Sequence, residues 1–501
     1  MRNRFLSLAI FAAVALLLAR FEMRRLVLNI DEGILLDAAE RMAHGQRLYV
    51  DFFAYLAPGS FWLQELAFRI LGITLASGRL IVCLDFSLQC AVVFWLMARL
   101  GYPRAGALTV LVFLGLEASN PVLLSPSHRW DSAALALLSV ACGVEGHLSG
   151  KRMWWILAGL FAGAAAVCTP TMVLVAAGTV VALIARRGFL WPYLAACAGV
   201  WAAAAAFMLA RGIALPFLHQ LAWTAANYAR VNVTPYGRFN GGWQGFLDST
   251  AAAPAPLRAF LFLIAALPAI LPVVSLLGWL LAWRSVSKPL RFSIAWMLAV
   301  MVAMVLTTWP RPDIGHLATV APLGYALAGL LLAVRAPRWF GLAVAAVMLP
   351  WAVVSLVESG QAIASAATIP SPAGNLRLAP AVRPAIARLL SLVHPSQPLY
   401  VHPYLPLFYF LTQAANPTRY SYLGPGMMTA ADQASALADL KRNPPDWVLY
   451  LPLDARTVQR VFPSAPADSV HFAAIENWIA ANYRPLNPPL EIEGYRLLAR
   501  R

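Results

Sequence analysis

The stretch NIDEGILLDAAERMAHGQRLYVDF, from Asn29 to Phe52, follows directly on the first apolar segment of a chain that is mostly hydrocarbon. Asp31 and Glu32 stand side by side at that edge, with Asp37, Glu40 and Asp51 close behind. Charges beside hydrocarbon are costly unless they are solvated, paired or functional. An acidic pair opening a helix also has a plain structural use, because carboxylates favour the positive end of the helix macrodipole. Ile34, Leu35, Ala38, Ala39 and Met42 have helical spacing, and Gly45 is placed to stop that helix. The next stretch, PGSFWLQELAFRILG (Pro58–Gly72), starts with proline at a helix entrance and is amphipathic. It is too short and too polar to cross a bilayer, so it is expected to lie in the interface.

Composition sets the class. Of 501 residues, 60% are hydrophobic and only 12% charged, which excludes both a soluble globule and a disordered chain. The formal charge of +16 is almost entirely arginine. In such a chain this implies topology signals and contact with membrane lipids, not nucleic acid. The five cysteines all fall in apolar segments and form neither a disulfide framework nor a Cys-type zinc site. The first twenty residues resemble a signal peptide but lack a good cleavage site, and read as an uncleaved first helix.

Apolar runs predict about eleven transmembrane helices, at about 5–20, 77–98, 105–120, 132–148, 153–168, 170–185, 189–210, 258–283, 291–309, 317–334 and 338–357. With the N-terminus inside, the inner turns carry Arg99 and Arg104, Lys151 and Arg152, Arg186 and Arg187, Arg284, Lys288 and Arg291, and Arg335 and Arg338. None of those turns holds an acid. The outer segments, 21–76, 119–131, 211–257 and 310–316, are mixed in sign. An odd helix count puts the C-terminal tail outside as well.

Residues 1–357 thus read as a membrane domain and 358–501 as a small extracytoplasmic α/β domain. In the latter, QPLYVHPY, DWVLYLPL and YRLLAR read as strands. TAADQASALADLKR, ARTVQRVF and FAAIENWIAANY read as helices, the first capped by Thr429. His394, His402 and His471 are expected at the surface or in packing.

Four outer sites bear reactive groups. Beside Asp31 and Glu32 there is SPSHRWDS (Ser125–Ser132), with His128, Arg129 and Asp131. Asp131 alone would pass for a helix cap. WPRPDIGH (Trp309–His316) carries Arg311 and His316, and the long outer loop carries Arg230 and Arg238. Carboxylates can take a proton from a hydroxyl, and arginines can grip a phosphate in bidentate fashion. A transporter or lipid flippase would instead place ionisable groups near mid-bilayer, where only Asp85 and Glu145, with Gln89, qualify. Asp31, Glu32 and Asp131 together could chelate a divalent metal, though no spacing demands it.

The first outer loop resembles that of the GT-C glycosyltransferases, which include bacterial aminoarabinose transferases and relatives of the protein O-mannosyltransferases. Its features are Asp31–Glu32, Gly45, Leu48–Tyr49, Asp51 and Pro58–Gly59. The family's second acidic site matches Asp131, and its late outer loop is similar to RPDIGH. The resemblance covers residues 1 to about 357. It implies a polytopic GT-C fold and transfer of a sugar from a polyprenyl-phosphate donor to a glycan, lipid or protein acceptor at the outer face of the cytoplasmic membrane. It gives Asp31 the part of base, assisted by Glu32 or Asp131. Arg129, His128, Arg311 and His316 become expected contacts of the lipid phosphate, with Arg230 and Arg238 as substitutes. Thr169 stands where many relatives have a basic residue, which leaves open an inactive scaffold in envelope assembly.

Overall fold

The computed structural model describes every residue except 1, 119–123, 185, 240 and 466–471, so His471 and the ends of two expected spans lie outside the described residues. The chain runs α1 (Arg2–Phe21), α2 (Ile30–Ala43), α3 (Pro58–Leu71), α4 (Leu75–Arg99), α5 (Pro103–Glu117), α6 (His128–Ser149) and α7 (Arg152–Cys168). A short 3₁₀ turn leads to α8 (Val173–Leu183), then α9 (Arg187–Ala210), α10 (Ala214–Asn232), α11 (Gly242–Ser249), α12 (Ala255–Ala282) and α13 (Lys288–Leu306). The last helices of the apolar part are α14 (Ile314–Val320), α15 (Pro322–Arg335) and α16 (Arg338–Ala364).

This is a multi-pass membrane protein. Every expected span coincides with a helix, yet six helices, α1, α4, α6, α9, α12 and α16, are long and apolar enough to cross a bilayer alone. The expectation of about eleven spans is thus met in part among the described residues. The helices α5, α7, α8 and α13 have 15, 17, 11 and 19 residues, against the roughly 20 a bilayer core requires. The tenth expected span is broken into α14 and α15, bent by 68°. The break falls where Pro322 opens α15, since proline lacks the N–H that would continue the ladder.

At one end of the bundle the Arg99 guanidinium donates to Glu145 at 2.7 Å, with Arg4 at 3.8 Å. Glu145 is therefore paired at a basic helix end. The mixed-sign loops lie at the other end. There α2 is capped by Asn29, whose side chain accepts from the Asp31 N–H. Gly45, at φ +94°, ends it as the spacing predicts. The amphipathic α3 turns Phe61, Gln64 and Phe68 inward and leaves Leu63, Leu66 and Ile70 exposed.

Beyond α16, β1 (Ala367–Ser371) and β2 (Gly374–Leu378) form a hairpin. After α17 (Arg383–Leu392) come β3 (Leu399–His402), α18 (Leu407–Thr412), α19 (Ala430–Arg442), β4 (Trp447–Tyr450), α20 (Ala455–Val461), α21 (Ala473–Asn482), β5 (Tyr483–Pro485), β6 (Glu491–Ile492) and β7 (Tyr495–Arg500). The sheet order is β3-β4-β7-β5 with β6 beside β7; only β3 and β4 are parallel. Thr429 caps α19 in a full capping box with Asp432. His402 is buried between Tyr450 and Phe472.

These small sheets share a core with the first outer loop. Leu36 and Ala39 of α2, Phe68 of α3 and Leu75 of α4 pack with Leu376, Leu407 and Phe410, and the Phe68 and Phe410 rings stack at 5.6 Å. Gly33 faces the backbone of Leu407 so closely that any side chain there would collide with it.

Asp37 and Glu40 are buried on the same face, beside Arg41, whose Nη1 donates to Ser421 at 2.9 Å. Burial, and then the neighbouring Asp37, push the Glu40 carboxyl up to about 9. The folded chain therefore keeps a proton on Glu40 at pH values where the unfolded chain has lost it. Stability is lost as pH rises from the ordinary carboxylate range toward 9. Glu40→Gln should flatten that decline in melting temperature measured across the window; an unchanged slope would place the titration elsewhere.

Candidate active site

The first outer loop, the start of α6, the end of α10, the start of α14 and two C-terminal segments enclose a cavity of about 340 Å³. Its charged lining is Asp31, Arg129, Arg311, Asp313 and His316, and its aromatic lining is Tyr55, Trp130, Tyr228, Tyr422 and Phe462.

The first turn of α2 is fixed from several sides. Asn29 Oδ1 accepts from the Asp31 N–H, and Asn29 Nδ2 donates to Ser125 Oγ, both at 2.8 Å. Consecutive helical residues point about 100° apart, so Asp31 and Glu32 diverge. Asp31 faces the cavity, exposed, and its carboxylate accepts no hydrogen bond among the described residues. Glu32 turns into the bundle and is gripped by Arg79, whose Nε and Nη2 donate to its two oxygens at 2.6 and 2.7 Å. Both side chains are wholly buried. Arg79 Nη1 also donates to the Glu22 carbonyl at 3.2 Å. The expected assistance of Glu32 is thus corrected: its carboxylate is consumed by an ion pair and does not line the cavity.

Asp131 is likewise elsewhere. It is 3% exposed and does not line the cavity, and its Oδ2 is buried without a hydrogen-bond partner among the described residues. It is not the cap of α6, a role taken by Ser127. Arg129, two residues earlier, does reach the cavity, where its guanidinium donates to no partner among the described residues. His128 turns away from the cavity, with Nδ1 2.8 Å from Thr169 Oγ1. The Thr169 hydroxyl also lies 3.0 Å from Ser132 Oγ. The position expected to be basic is therefore the centre of a small neutral network.

From the late loop, Arg311 enters the wall with each of its three nitrogens already donating: Nε to Asp313 at 2.8 Å, Nη1 to Asn232 at 3.0 Å and Nη2 to the Val461 carbonyl at 3.1 Å. Asp313 caps α14 and meets His316 Nδ1 at 2.7 Å. Burial alone would raise the Asp313 carboxyl, but the His316 hydrogen bond and the Arg311 charge hold it well below the usual range. With Nδ1 so engaged, Nε2 is the ring atom of His316 left for the cavity. Tyr55 stacks on Tyr228 at 5.8 Å and lies 5.7 Å from Tyr422.

Arg230 and Arg238 do not line this cavity. Arg230 donates to the Gly426 carbonyl at 2.9 Å and Arg238 to the Arg460 carbonyl at 3.3 Å. Arg238 lines a neighbouring hollow of about 240 Å³, which shares Arg311 and Asp313 with the larger cavity. Of the first-loop motif, Tyr49 donates to the Leu56 carbonyl at 2.6 Å, Asp51 accepts from the Arg47 N–H at 2.6 Å, and Pro58 opens α3. With Gly45 they shape the loop and stay out of the cavity. Glu32 and Asp131 do not line the cavity with Asp31, so the three carboxylates that could have chelated a divalent metal do not converge there. Among the described residues no three His, Cys, Asp or Glu side chains converge as one.

Tyr55, Tyr228, Tyr422 and Phe462 carry no local sequence signal for the site. Only the fold brings them beside Asp31.

No sequence-family model matches the chain, and no curated protein matches it in sequence. Solved structures do match. ArnT from Cupriavidus metallidurans, solved bound to undecaprenyl phosphate, superposes with a TM-score of 0.56 at 16% identity, over 98% of this chain and 97% of that one. The Archaeoglobus fulgidus oligosaccharyltransferase in its apo form gives 0.51 at 12% identity, over 89% of this chain and 69% of that one. The chain therefore has the GT-C fold.

Removing Arg79 would leave Glu32 as an uncompensated buried charge. Arg79→Met should cost about 3–5 kcal/mol, and adding Glu32→Gln should recover much of it. Thermal unfolding of the single and double variants checks this; a single variant as stable as the parent would refute it.

Proposed function

We propose that the chain is an integral membrane glycosyltransferase. It would take a sugar from a polyprenyl-phosphate donor at the outer face of the cytoplasmic membrane and pass it to an acceptor hydroxyl. The observation that carries the reading is the pairing of a free carboxylate, Asp31, with a free guanidinium, Arg129, across one cavity at the loop end of the bundle. The GT-C fold supports it, and so does the solution of ArnT, which shares that fold, with undecaprenyl phosphate bound. The basic turns at the opposite end support an orientation with the N-terminus inside and residues 358–501 outside.

In this reading the residues divide the work. Asp31, unpaired, takes the acceptor proton as the new bond forms. An inverting displacement is the simplest course. The lipid phosphate departs as an anion, and Arg129, with no internal partner to release, stabilises that charge as it develops. His316 presents Nε2 on the same side, its ring held by Asp313. Arg311 is spoken for by Asp313, Asn232 and Val461, so it holds the wall more than the ligand. The tyrosines offer flat faces of the kind that stack on sugar rings.

Asp31→Asn should lower sugar transfer from a lipid-linked donor by about 10²–10⁴-fold while leaving polyprenyl-phosphate binding intact. Arg129→Ala should weaken that binding by about 1.5–3 kcal/mol. Transfer at the parental rate by a folded Asp31→Asn variant would remove the base assignment.

A further inference from the structure

A second cavity, of about 530 Å³, lies beside the first at the loop end of the bundle, and the reading above gives it no task. The two share Leu28 and Ile30 as lining. Tyr422 lines the first and Tyr404 the second, with their rings 6.3 Å apart. The volume is within the roughly 300–1,000 Å³ usual for ligand pockets. Its walls come from the segment after α1, the last turn of α16, β2, α17 and the segments that follow β3, β4 and β6. Most of the lining is apolar, with Leu26, Ile363, Ile386 and Leu405 among it, and its charged members are Arg25, Arg377 and Glu493.

Tyr495 lines this cavity at 3% exposure, and its hydroxyl has no hydrogen-bond partner among the described residues. A buried hydroxyl left unpaired is costly, so a polar atom that enters the cavity meets a ready donor. The arginines are gathered by the backbone. Arg20, Arg24 and Arg25 stand within six residues at the end of α1. The Arg377 N–H donates to the Arg24 carbonyl at 2.6 Å, its carbonyl accepts from the Leu26 N–H at 2.9 Å, and its Nη1 donates to the Arg20 carbonyl at 3.5 Å. Arg25 gives Nη1 to Glu22 and to Ser359 of α16 at 3.0 and 3.3 Å. Neither Arg25 nor Arg377 donates from Nε or Nη2 among the described residues. Glu22 is shared with Arg79 at 4.0 Å, and Glu493 is exposed. Below this cluster both helices show hydrocarbon outward, at Leu16 of α1 and at Val353 and Val357 of α16.

We propose that this cavity seats one anionic phospholipid of the surrounding bilayer as a resident ligand, with its phosphate between Arg25 and Arg377, an oxygen accepting from the Tyr495 hydroxyl, and its acyl chains leaving along α1 and α16. Guanidinium groups with free donors match a phosphate, and arginines clustered at a membrane edge favour anionic headgroups. A free phosphate would satisfy the arginines but leave the apolar lining bare. The lipid answers both halves of the cavity. It braces residues 25–30, which lead into Asp31, against the end of α16 and the C-terminal segments. Its binding does not depend on the transferase reading.

The test uses the full chain in phosphatidylcholine nanodiscs, with and without phosphatidylglycerol. Native mass spectrometry of the chain released from mixed discs should show one retained phosphatidylglycerol, and the chain should melt at a higher temperature in the mixed discs. Tyr495→Phe removes a hydroxyl that has no internal partner. It should melt with the parent in phosphatidylcholine and hold phosphatidylglycerol about 3–10-fold more weakly. Arg377→Gln should weaken retention by about 10–100-fold. No retained phosphatidylglycerol in the parent, equal stability in the two kinds of disc, or retention unchanged in both variants would overturn the proposal. Inorganic phosphate added to phosphatidylcholine discs should leave the melting temperature where it is. A rise equal to that given by phosphatidylglycerol would show that the anion alone is taken, and the lipid assignment would fall. Sugar-bearing phosphatidylglycerol in membranes that carry the chain would make the lipid a substrate and remove its resident role.

Discussion

A guanidinium sealed from solvent, Arg79, grips Glu32 with two hydrogen bonds, and the orientation of the whole first outer loop depends on that grip. A buried ion pair adds little net stability, because desolvation offsets most of the attraction. What it provides here is a rotational setting. With Glu32 turned into the bundle, the helix geometry leaves Asp31 facing the cavity. The neighbouring residues make the same turn over-determined. Asn29 caps the helix and reaches Ser125, and Gly33 lies against the backbone of Leu407. Within five residues the chain touches α4, the loop before α6, the C-terminal segment and the cavity.

The division of charges follows a single logic. Arg79, Arg99, Arg230, Arg238 and Arg311 all donate to carbonyls, amides or carboxylates of the chain itself. Glu145, Asp313 and Glu32 are likewise committed. Asp31 and Arg129 line the cavity without such a commitment. A group already satisfied must break a bond before it can serve a ligand, whereas an unsatisfied one in a shaped cavity is ready to act. The same criterion separates the two kinds of arginine in the proposal: those that hold the fold, and one that is left to hold a phosphate.

Much of the architecture was legible in the sequence because its signals are local. Apolar windows located the helices, and the spacing of Ile34 to Met42 and the proline at Pro58 located the two loop helices. Length is the part that composition left open: among the described residues six helices have the length and hydropathy to cross a bilayer alone, while α7 and α8 are shorter apolar helices. The site was legible only in part. Residue type and facing loops were enough to bring Asp31, Arg129, Arg311 and His316 into consideration, and they do line one cavity. Adjacent residues could not be told apart, since Asp31 from Glu32 and Arg129 from His128 differ only in helical phase, which Arg79 and Thr169 decide from far along the chain. Tyr422 and Phe462 come from the C-terminal segments, and no local pattern could have placed them beside α2.

The most direct measurement is a structure of the chain in nanodiscs with a polyprenyl phosphate bound. The account predicts phosphate density in the cavity between α2, α6 and α14, within hydrogen-bonding reach of the Arg129 guanidinium and on the side facing Asp31. A phosphate bound away from that cavity, with Arg129 and Asp31 both clear of it, would contradict it.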